Sequence, residues 1–386
     1  MKRIDITELL IKMEDKITAE NLPSNIKKTI ENMILCRTEI LGGIEYKCKC
    51  GEVHTAWNSC HNKSCPICSN LYEEKWLAEN HEEIPNVRYG HIVFTLPHEL
   101  NYIWLAEKKA LTDKVFDTIA ETLTEIYEYE YGLTPGIKIY IHSWNGEMNM
   151  HIHFHVVITI GGINRDGNWE DKKGNYIIPM EEVLIKYRGK LLYKLRGMKT
   201  KEITERILGK IEKKKLNVHL CEEYEGNGEH IFRYLAKRLR GGVFKDVRFY
   251  EIGRNRILME YKRAGKWKKK ILSREEIIKR FFYHIPETGQ KTVRGYGIFA
   301  PSKKKELLKV LEIKGYIPVT LKEYKAKVIC KKCNEEMLPH REVKSRKQEF
   351  IEGMIKEGSE ISENRIRYIT KTHKVEQLQI EFKKVV

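Results

Sequence analysis

The sequence predicts an α+β fold in which a central antiparallel sheet is flanked by helices, and three local patterns carry that expectation. Residues 137–144 alternate like a strand, Asn145-Gly146 is a turn dipeptide, and 151–158 read His-Ile-His-Phe-His-Val-Val-Ile, so 137–160 forms a β-hairpin. Tyr89 to Leu96 is an apolar run stopped by Pro97, and Leu216–Cys221 is a further strand. Helical spacing fills 100–131 and 228–240. The order strand, helix, two strands, crossover, strand, helix suits one sheet with helices packed on it.

Along the chain, Leu9, Leu10, Met13 and Ile17, then Ile26, Ile30, Met33 and Ile34, mark two N-terminal helices separated by a proline turn at 21–24. A cysteine-rich stretch follows, then a short helix over 71–80. Residues 163–215 open with an Asn/Asp/Gly/Lys-rich stretch, contain a helix around 180–195, and read as an insertion. Past Gly241-Gly242, segments 247–252, 256–262 and 267–272 make a basic β-meander, and Ser273-x-x-Glu276 is a capping box opening a helix to Tyr283. The expected division is 1–82, N-terminal helices and cysteine module; 83–245, the central sheet domain; 246–325, the meander plus helix; and 326–386, a cysteine pair and charged tail.

With 386 residues the chain is long enough for two or three cores. Lys and Arg number 71 against 54 Asp and Glu, a net +17 spread along the chain, which favours a polyanionic partner. No run is long and apolar enough to span a membrane, and the N-terminus lacks the apolar stretch of a signal peptide. A cytoplasmic protein with no membrane partner is expected. In a reducing compartment, nine cysteines point to metal sites rather than disulfides.

Five of them, Cys48, Cys50, Cys60, Cys65 and Cys68, fall close together, with His54 and His61 among them. Cys65-Pro-Ile-Cys68 has zinc-knuckle spacing, whereas Cys48-Lys-Cys50 is a residue tighter, so His54 or Cys60 is an alternative ligand in a structural Zn²⁺ site. Cys330-Lys-Lys-Cys333 is a second pair. It is half of a further zinc site, completes the first one in space, or is two unrelated thiols. Cys36 and Cys221 read as ordinary buried cysteines.

The histidines on the hairpin lie at every second position and so share one face. A turn centred between Asn145 and Asn149 sets His142 opposite His153 and on the face of His155. Three neutral imidazoles would leave open positions on a divalent cation, Mg²⁺ or Mn²⁺, as a catalytic metal requires. His151, His230, Glu229 or water are the alternatives to His142 as third ligand. In the 228–240 helix the apolar stripe is Ile231, Phe232, Leu235, Ala236 and Leu239, while Tyr234 lies among His230, Lys237 and Arg238. Neighbouring positive charge favours a phenolate, which makes Tyr234 a candidate nucleophile.

These residues resemble the rolling-circle transposases of the insertion-sequence ninety-one family, members of the histidine–hydrophobic–histidine (HUH) nuclease superfamily. The resemblance rests on Cys-Gly-x-x-His followed by Trp57-Asn-Ser-Cys-His-Asn-Lys-Ser-Cys-Pro-Ile-Cys68, Val93-Phe-Thr-Leu-Pro-His-Glu-Leu100, His142-Ser-Trp144, His151-Ile-His-Phe-His155 with Gly161-Gly162, Tyr234-Leu-Ala-Lys-Arg238, Phe281-Phe-x-His-Ile-Pro and Arg294-x-Tyr-Gly297. It implies that His153 and His155 bind the catalytic metal, and that Tyr234 forms a 5′-phosphotyrosine bond with single-stranded DNA. Many relatives carry a second tyrosine where this chain has Arg238, which implies one covalent intermediate per subunit.

The expected partners are single-stranded or hairpin DNA at transposon ends, target DNA and host replication proteins, in a prokaryotic cytoplasm at the nucleoid. Lys237, Arg238, Trp57 and Trp144 are candidate DNA contacts, with Tyr296 and the meander beside them. Two other functions fit parts of the pattern: a rolling-circle replication initiator or relaxase, and a zinc-containing DNA-binding regulator without catalysis. The cysteine module and the 281–297 block distinguish the transposase from the first. Tyr234 with both histidines distinguishes it from the second.

Overall fold

A computed structural model describes residues 1–13, 22–69, 80, 83–172, 178–198, 200, 203–214, 216–224, 233, 242–244, 246–263, 265–316 and 328–346. In chain order the strands are β1 (Lys2–Ile4), β2 (Gly43–Lys47), β3 (Val53–Trp57), β4 (Tyr89–Thr95), β5 (Gly136–Trp144), β6 (Met150–Thr159), β7 (Gly161–Ile163), β8 (Trp169–Asp171), β9 (Asn217–Tyr224), β10 (Val247–Gly253), β11 (Arg256–Arg263), β12 (Lys266–Ser273), β13 (Val293–Gly297) and β14 (Leu338–Val343). The helices are α1 (Ile6–Lys12), α2 (Ser24–Leu35), α3 (Asn101–Ala106), α4 (Lys108–Tyr131), α5 (Met180–Arg196), α6 (Glu205–Lys213), α7 (Arg274–His284) and α8 (Lys304–Lys314). Among the described residues, no helix is long and apolar enough to cross a membrane.

The chain divides into two compact units, and the division does not follow the linear one expected from the sequence. One unit gathers Met1–Leu71, Phe244–Lys279 and Lys322–Val386; the other comprises Tyr72–Val243 and Arg280–Leu321. The meander therefore belongs with both chain ends rather than forming a module of its own.

The second unit is built on a five-stranded antiparallel sheet in the order β13-β5-β6-β4-β9. Period-two alternation sorts its side chains. Ile137, Ile139 and Ile141 from β5, Ile152, Phe154, Val156 and Ile158 from β6, and Ile92 and Phe94 from β4 enter a core with α4 and α5. Phe116 meets Phe154 edge-on, and Tyr187 meets Phe94 in the same way. Tyr187, like Val183, Leu191 and Leu195 of α5, is fully buried in this core. The segment 163–215, expected as an insertion, thus contributes a helix that covers the sheet.

The single helix expected over 100–131 is two. The chain breaks at Glu107, and the Glu287 carboxylate accepts hydrogen bonds from the backbone N–H groups of Lys108 and Lys109 that the break exposes.

At the sheet edge, the Arg294-x-Tyr-Gly297 motif is β13 itself. Arg294 pairs with Asp113 and Tyr296 donates to Asp117, both on α4. A β-carbon at Gly295 would lie 2.2 Å from the Phe299 carbonyl oxygen, and one at Gly297, where φ is +58°, would lie 1.8 Å from that of Pro135.

The first unit holds two smaller sheets, β1-β10-β11-β12 and β14-β2-β3. A capping box from Asp5 and Glu8 starts α1. At the meander's end, where the sequence predicts a capping box, Ser273 Oγ accepts from Glu276 N at 3.1 Å. Apart from residues 80 and 233, the short helix expected over 71–80 and the helix over 228–240 lie outside the described residues, as does the charged tail past 346.

Gly297→Ala should lower stability by at least ~2 kcal/mol, because left-handed strain of about 1 kcal/mol is joined by a backbone clash. Gly167 also has positive φ, +80°, but open space around it, so Gly167→Ala should cost only about 1 kcal/mol. Urea unfolding of the two variants measures the difference.

Candidate metal centres and active site

Strand β6 runs between β5 and β4, and its register sets His142 opposite His153 and Tyr140 opposite His155. One ligand nitrogen from each of His142, His153 and His155 lies within 4.8 Å of the other two. His142 and His155 are buried and His153 is half-buried. Ring orientation is fixed from outside the trio. His153 Nδ1 stands 2.8 Å from the His151 carbonyl oxygen, to which it donates, and His155 Nδ1 stands 2.9 Å from His91 Nε2. Both rings therefore offer Nε2 at the shared point.

His91 was not singled out by sequence reading. It is buried on β4, two residues before Val93, which is paired with His155. Only the β4–β6 register brings it to His155, and a lone histidine in an apolar strand gives no such signal. His151 is exposed on the same face and stands outside the converging trio. The other two alternatives, Glu229 and His230, lie outside the described residues, as do Tyr234, Lys237 and Arg238.

The hairpin tip is held firmly. Asn145 Oδ1 accepts from the backbone N–H groups of Glu147 and Asn149. Arg280 donates to the Glu147 carbonyl at 2.8 Å, while His284 accepts from Ser143 Oγ at 3.1 Å and donates through Nε2 to the Met148 carbonyl at 3.0 Å. The Phe281-Phe-x-His-Ile-Pro motif thus clamps the turn. Trp144, expected to contact DNA, stacks on the His142 ring at 5.0 Å and meets His284 edge-on. Burial lowers the His284 pKa to about 4, and the charge of Lys108 acts in the same direction.

In the first unit the clustered cysteines separate into two sets. Cys36, Cys60, Cys65 and Cys68 bring their sulfurs within 4.8 Å of one another, and Cys48, Cys50, Cys330 and Cys333 do the same. This corrects three expectations. Cys36 is no ordinary core cysteine, Cys48 and Cys50 do not share a site with Cys65 and Cys68, and Cys221 is exposed. Cys36 was missed because it sits at the C-terminal end of α2, well before the cysteine-rich stretch. Cys36 and Cys60 lie 3.6 and 3.5 Å from Cys68, and Cys65 lies 3.8 Å from Cys36. These spacings match the edge of a zinc–thiolate tetrahedron, about 3.8 Å for Zn–S bonds of about 2.3 Å. The sulfurs also act on one another's protons: hydrogen bonding with Cys60 pushes Cys36 up, and hydrogen bonding with Cys36 pushes Cys65 up while holding Cys68 and Cys60 down.

Trp57 is half-buried on β3. In the meander, Arg248 and Lys262 flank the Trp267 ring at 4.2 and 5.3 Å, and β12 presents Lys266, Lys268 and Lys269 to solvent.

Comparison with known proteins bears on both units. Residues 136–306 match a family described as "Putative transposase", and residues 9–96 match the family "Transposase zinc-binding domain". The first match contains the hairpin, α7 and β13; the second contains Cys36, Cys48, Cys50, Cys60, Cys65 and Cys68. These features define a transposase that carries a structural zinc module. The chain is similar to "Putative transposase y4qJ" of Sinorhizobium fredii, 27% identical over 71% of this chain and 74% of that one. It is also similar to "Transposase for insertion sequence element IS801" of Pseudomonas savastanoi pv. phaseolicola, 26% identical over 71% of this chain and 70% of the relative. No solved structure gives a significant match. Both family matches and both relatives are consistent with an IS91-family transposase.

The buried, neutral His284 makes the clamp sensitive to acid. Its folded pKa of about 4 lies below the ordinary 6.5, so between these values the unfolded chain binds the extra proton. Stability should fall as pH drops from about 6.5 to about 4, by up to ~1.4 kcal/mol per unit. Urea unfolding of wild type and His284→Gln across that range should show the gap between them shrinking with acidity. A gap that stays constant would mean that His284 is not held neutral.

Proposed function

We propose that this transposase nicks and joins single-stranded DNA by HUH-type chemistry, with His142, His153 and His155 holding a divalent cation and Tyr234 acting as the nucleophile. The observation that carries the reading is the convergence of three imidazoles on one sheet face, with His153 and His155 oriented through Nδ1. Such a donor set suits Mg²⁺ or Mn²⁺ with positions left for substrate, and the ion when bound would draw charge from a non-bridging oxygen of the scissile phosphate.

Tyr234 attacks the phosphorus in line. The Tyr234 Oη–P bond forms as the P–O3′ bond breaks, and the proton lost by the phenol is balanced by one gained at the departing 3′ oxygen. One phosphoester replaces another, so a 3′-OH can reverse the step and ATP is not consumed. With Arg238 where many family members have a second tyrosine, each subunit holds one covalent DNA end.

His91 and the His151 carbonyl keep the ligand rings in their tautomers, and α7 fixes the turn beside them. Trp144 steadies the His142 ring rather than receiving a base. Cys36, Cys60, Cys65 and Cys68 hold a structural zinc, since a closed four-thiolate set leaves no position for substrate. The DNA ends, single-stranded or hairpin, are met by Lys237, Arg238, Trp57 and the basic meander, where Trp267 between two cations is a stacking surface. On this reading the protein acts in the cytoplasm at the nucleoid, with target DNA and host replication proteins as partners.

Tyr234→Phe should abolish nicking and covalent capture of a 3′-labelled transposon-end oligonucleotide, while oligonucleotide affinity changes less than about twofold. Full nicking by this variant overturns the assignment, and binding without covalent product in the wild type would favour a non-catalytic regulator.

His153→Ala and His155→Ala should each lower cleavage by at least about a hundredfold, with excess Mn²⁺ restoring little. His142→Ala tests the third ligand: an unchanged Mn²⁺ dependence would remove His142 from the set.

A further inference from the structure

The zinc-binding family match ends at residue 96, yet two of the cysteines within it, Cys48 and Cys50, face partners far outside it. Cys48 Sγ lies 3.3 Å from Cys333 Sγ, and Cys50 Sγ lies 3.6 Å from Cys330 Sγ. All four are free thiols. Each pair stands on a tight turn. Cys48 N–H donates to the Glu52 carbonyl and Gly51 N–H to the Cys48 carbonyl, with Gly51 at φ +90°. Cys330 N–H donates to the Glu335 carbonyl and Asn334 N–H to the Cys330 carbonyl, with Asn334 at φ +60°. Two knuckles of this kind, each ending a β-hairpin or bridge, make a zinc ribbon.

Cys48 and Cys330 are buried together with Met337, against Tyr46 and Val328, whereas Cys50 and Cys333 face solvent. Nearby histidines are not part of the set. His54 lies on β3 opposite Tyr46, and burial together with the charge of Lys331 holds its pKa below the ordinary value. His340 is exposed on β14. Eight of the nine cysteines fall into two complete tetrathiolate sets, leaving Cys221.

We infer that Cys48, Cys50, Cys330 and Cys333 form a second structural zinc site, a ribbon whose two halves come from opposite ends of the chain. Its zinc fastens residues 328–346, whose strand β14 already pairs with β2, to the N-terminal hairpin. The ion is independent of the one held by Cys36, Cys60, Cys65 and Cys68, and of the histidine centre.

Metal analysis of the purified full-length chain should find two zinc per chain. Cys330→Ser with Cys333→Ser should leave one, Cys48→Ser with Cys50→Ser should leave one, and all four substitutions together should still leave one. Cys65→Ser with Cys68→Ser should remove only the other ion. If Cys48, Cys50, Cys65 and Cys68 instead share a single zinc, the wild type holds one and the Cys330→Ser, Cys333→Ser chain keeps it, which overturns the proposal. Because serine variants can misfold, cadmium-113 NMR of the cadmium-exchanged wild-type chain gives a reading without substitution. Two tetrathiolate resonances support the second site, and one resonance refutes it. Neither result depends on whether the chain nicks DNA.

Discussion

A β-strand shows alternate side chains to opposite faces, so a one-residue slip of β6 against β5 would exchange every contact the hairpin makes. In the observed register Ile152, Phe154, Val156 and Ile158 enter the core with α4 and α5, which sends His153 and His155 to the other face opposite His142 and Tyr140. The apolar alternation and the imidazole cluster are one constraint seen from two sides. Burial on one face holds the histidines on the other, at a cost in imidazole crowding that their hydrogen bonds offset. Arg280 and His284 fix the same register at the turn, and His91 reaches His155 only because β4 pairs with β6 in step with it.

This dependence explains what could be read directly from the residues. A hairpin is local: its strands are joined by a short turn, so the period and the Asn-Gly signal suffice to align His142 with His153. The strands at 89–96 and 216–221 and the three meander segments were legible for the same reason. The break at Glu107 was not, because the carboxylate that caps the second helix comes from Glu287, far along the chain. The helix within 163–215 has the spacing of a buried face at Val183, Tyr187, Leu191 and Leu195, but the polar loop that introduces it gives no sign of which surface that face covers.

Cysteine partnership is the clearest case of non-local information. Spacing identifies Cys65 and Cys68 as a knuckle, but nothing in the order of residues says that Cys36 joins them or that Cys48 and Cys50 turn towards Cys330 and Cys333. The unusually tight Cys48-Lys-Cys50 spacing was the one local hint that this pair belongs to a different set. A thiol reports its ligand role through whichever sulfurs the fold brings near it, and that is settled by the pairing of β2 with β3 and β14.

The pairing of β14 with β2 also orders events during synthesis. Strand β2 leaves the ribosome early, but its neighbour Leu338–Val343 is made only after the whole five-stranded sheet has been translated. At about 5–20 residues per second, the exposed edge of β2 waits on the order of tens of seconds for its partner. A prematurely terminated chain would therefore contain every strand of the histidine-bearing sheet and yet lack a finished first unit. The fold itself therefore separates chains that extend past Val343 from those that stop before Leu338.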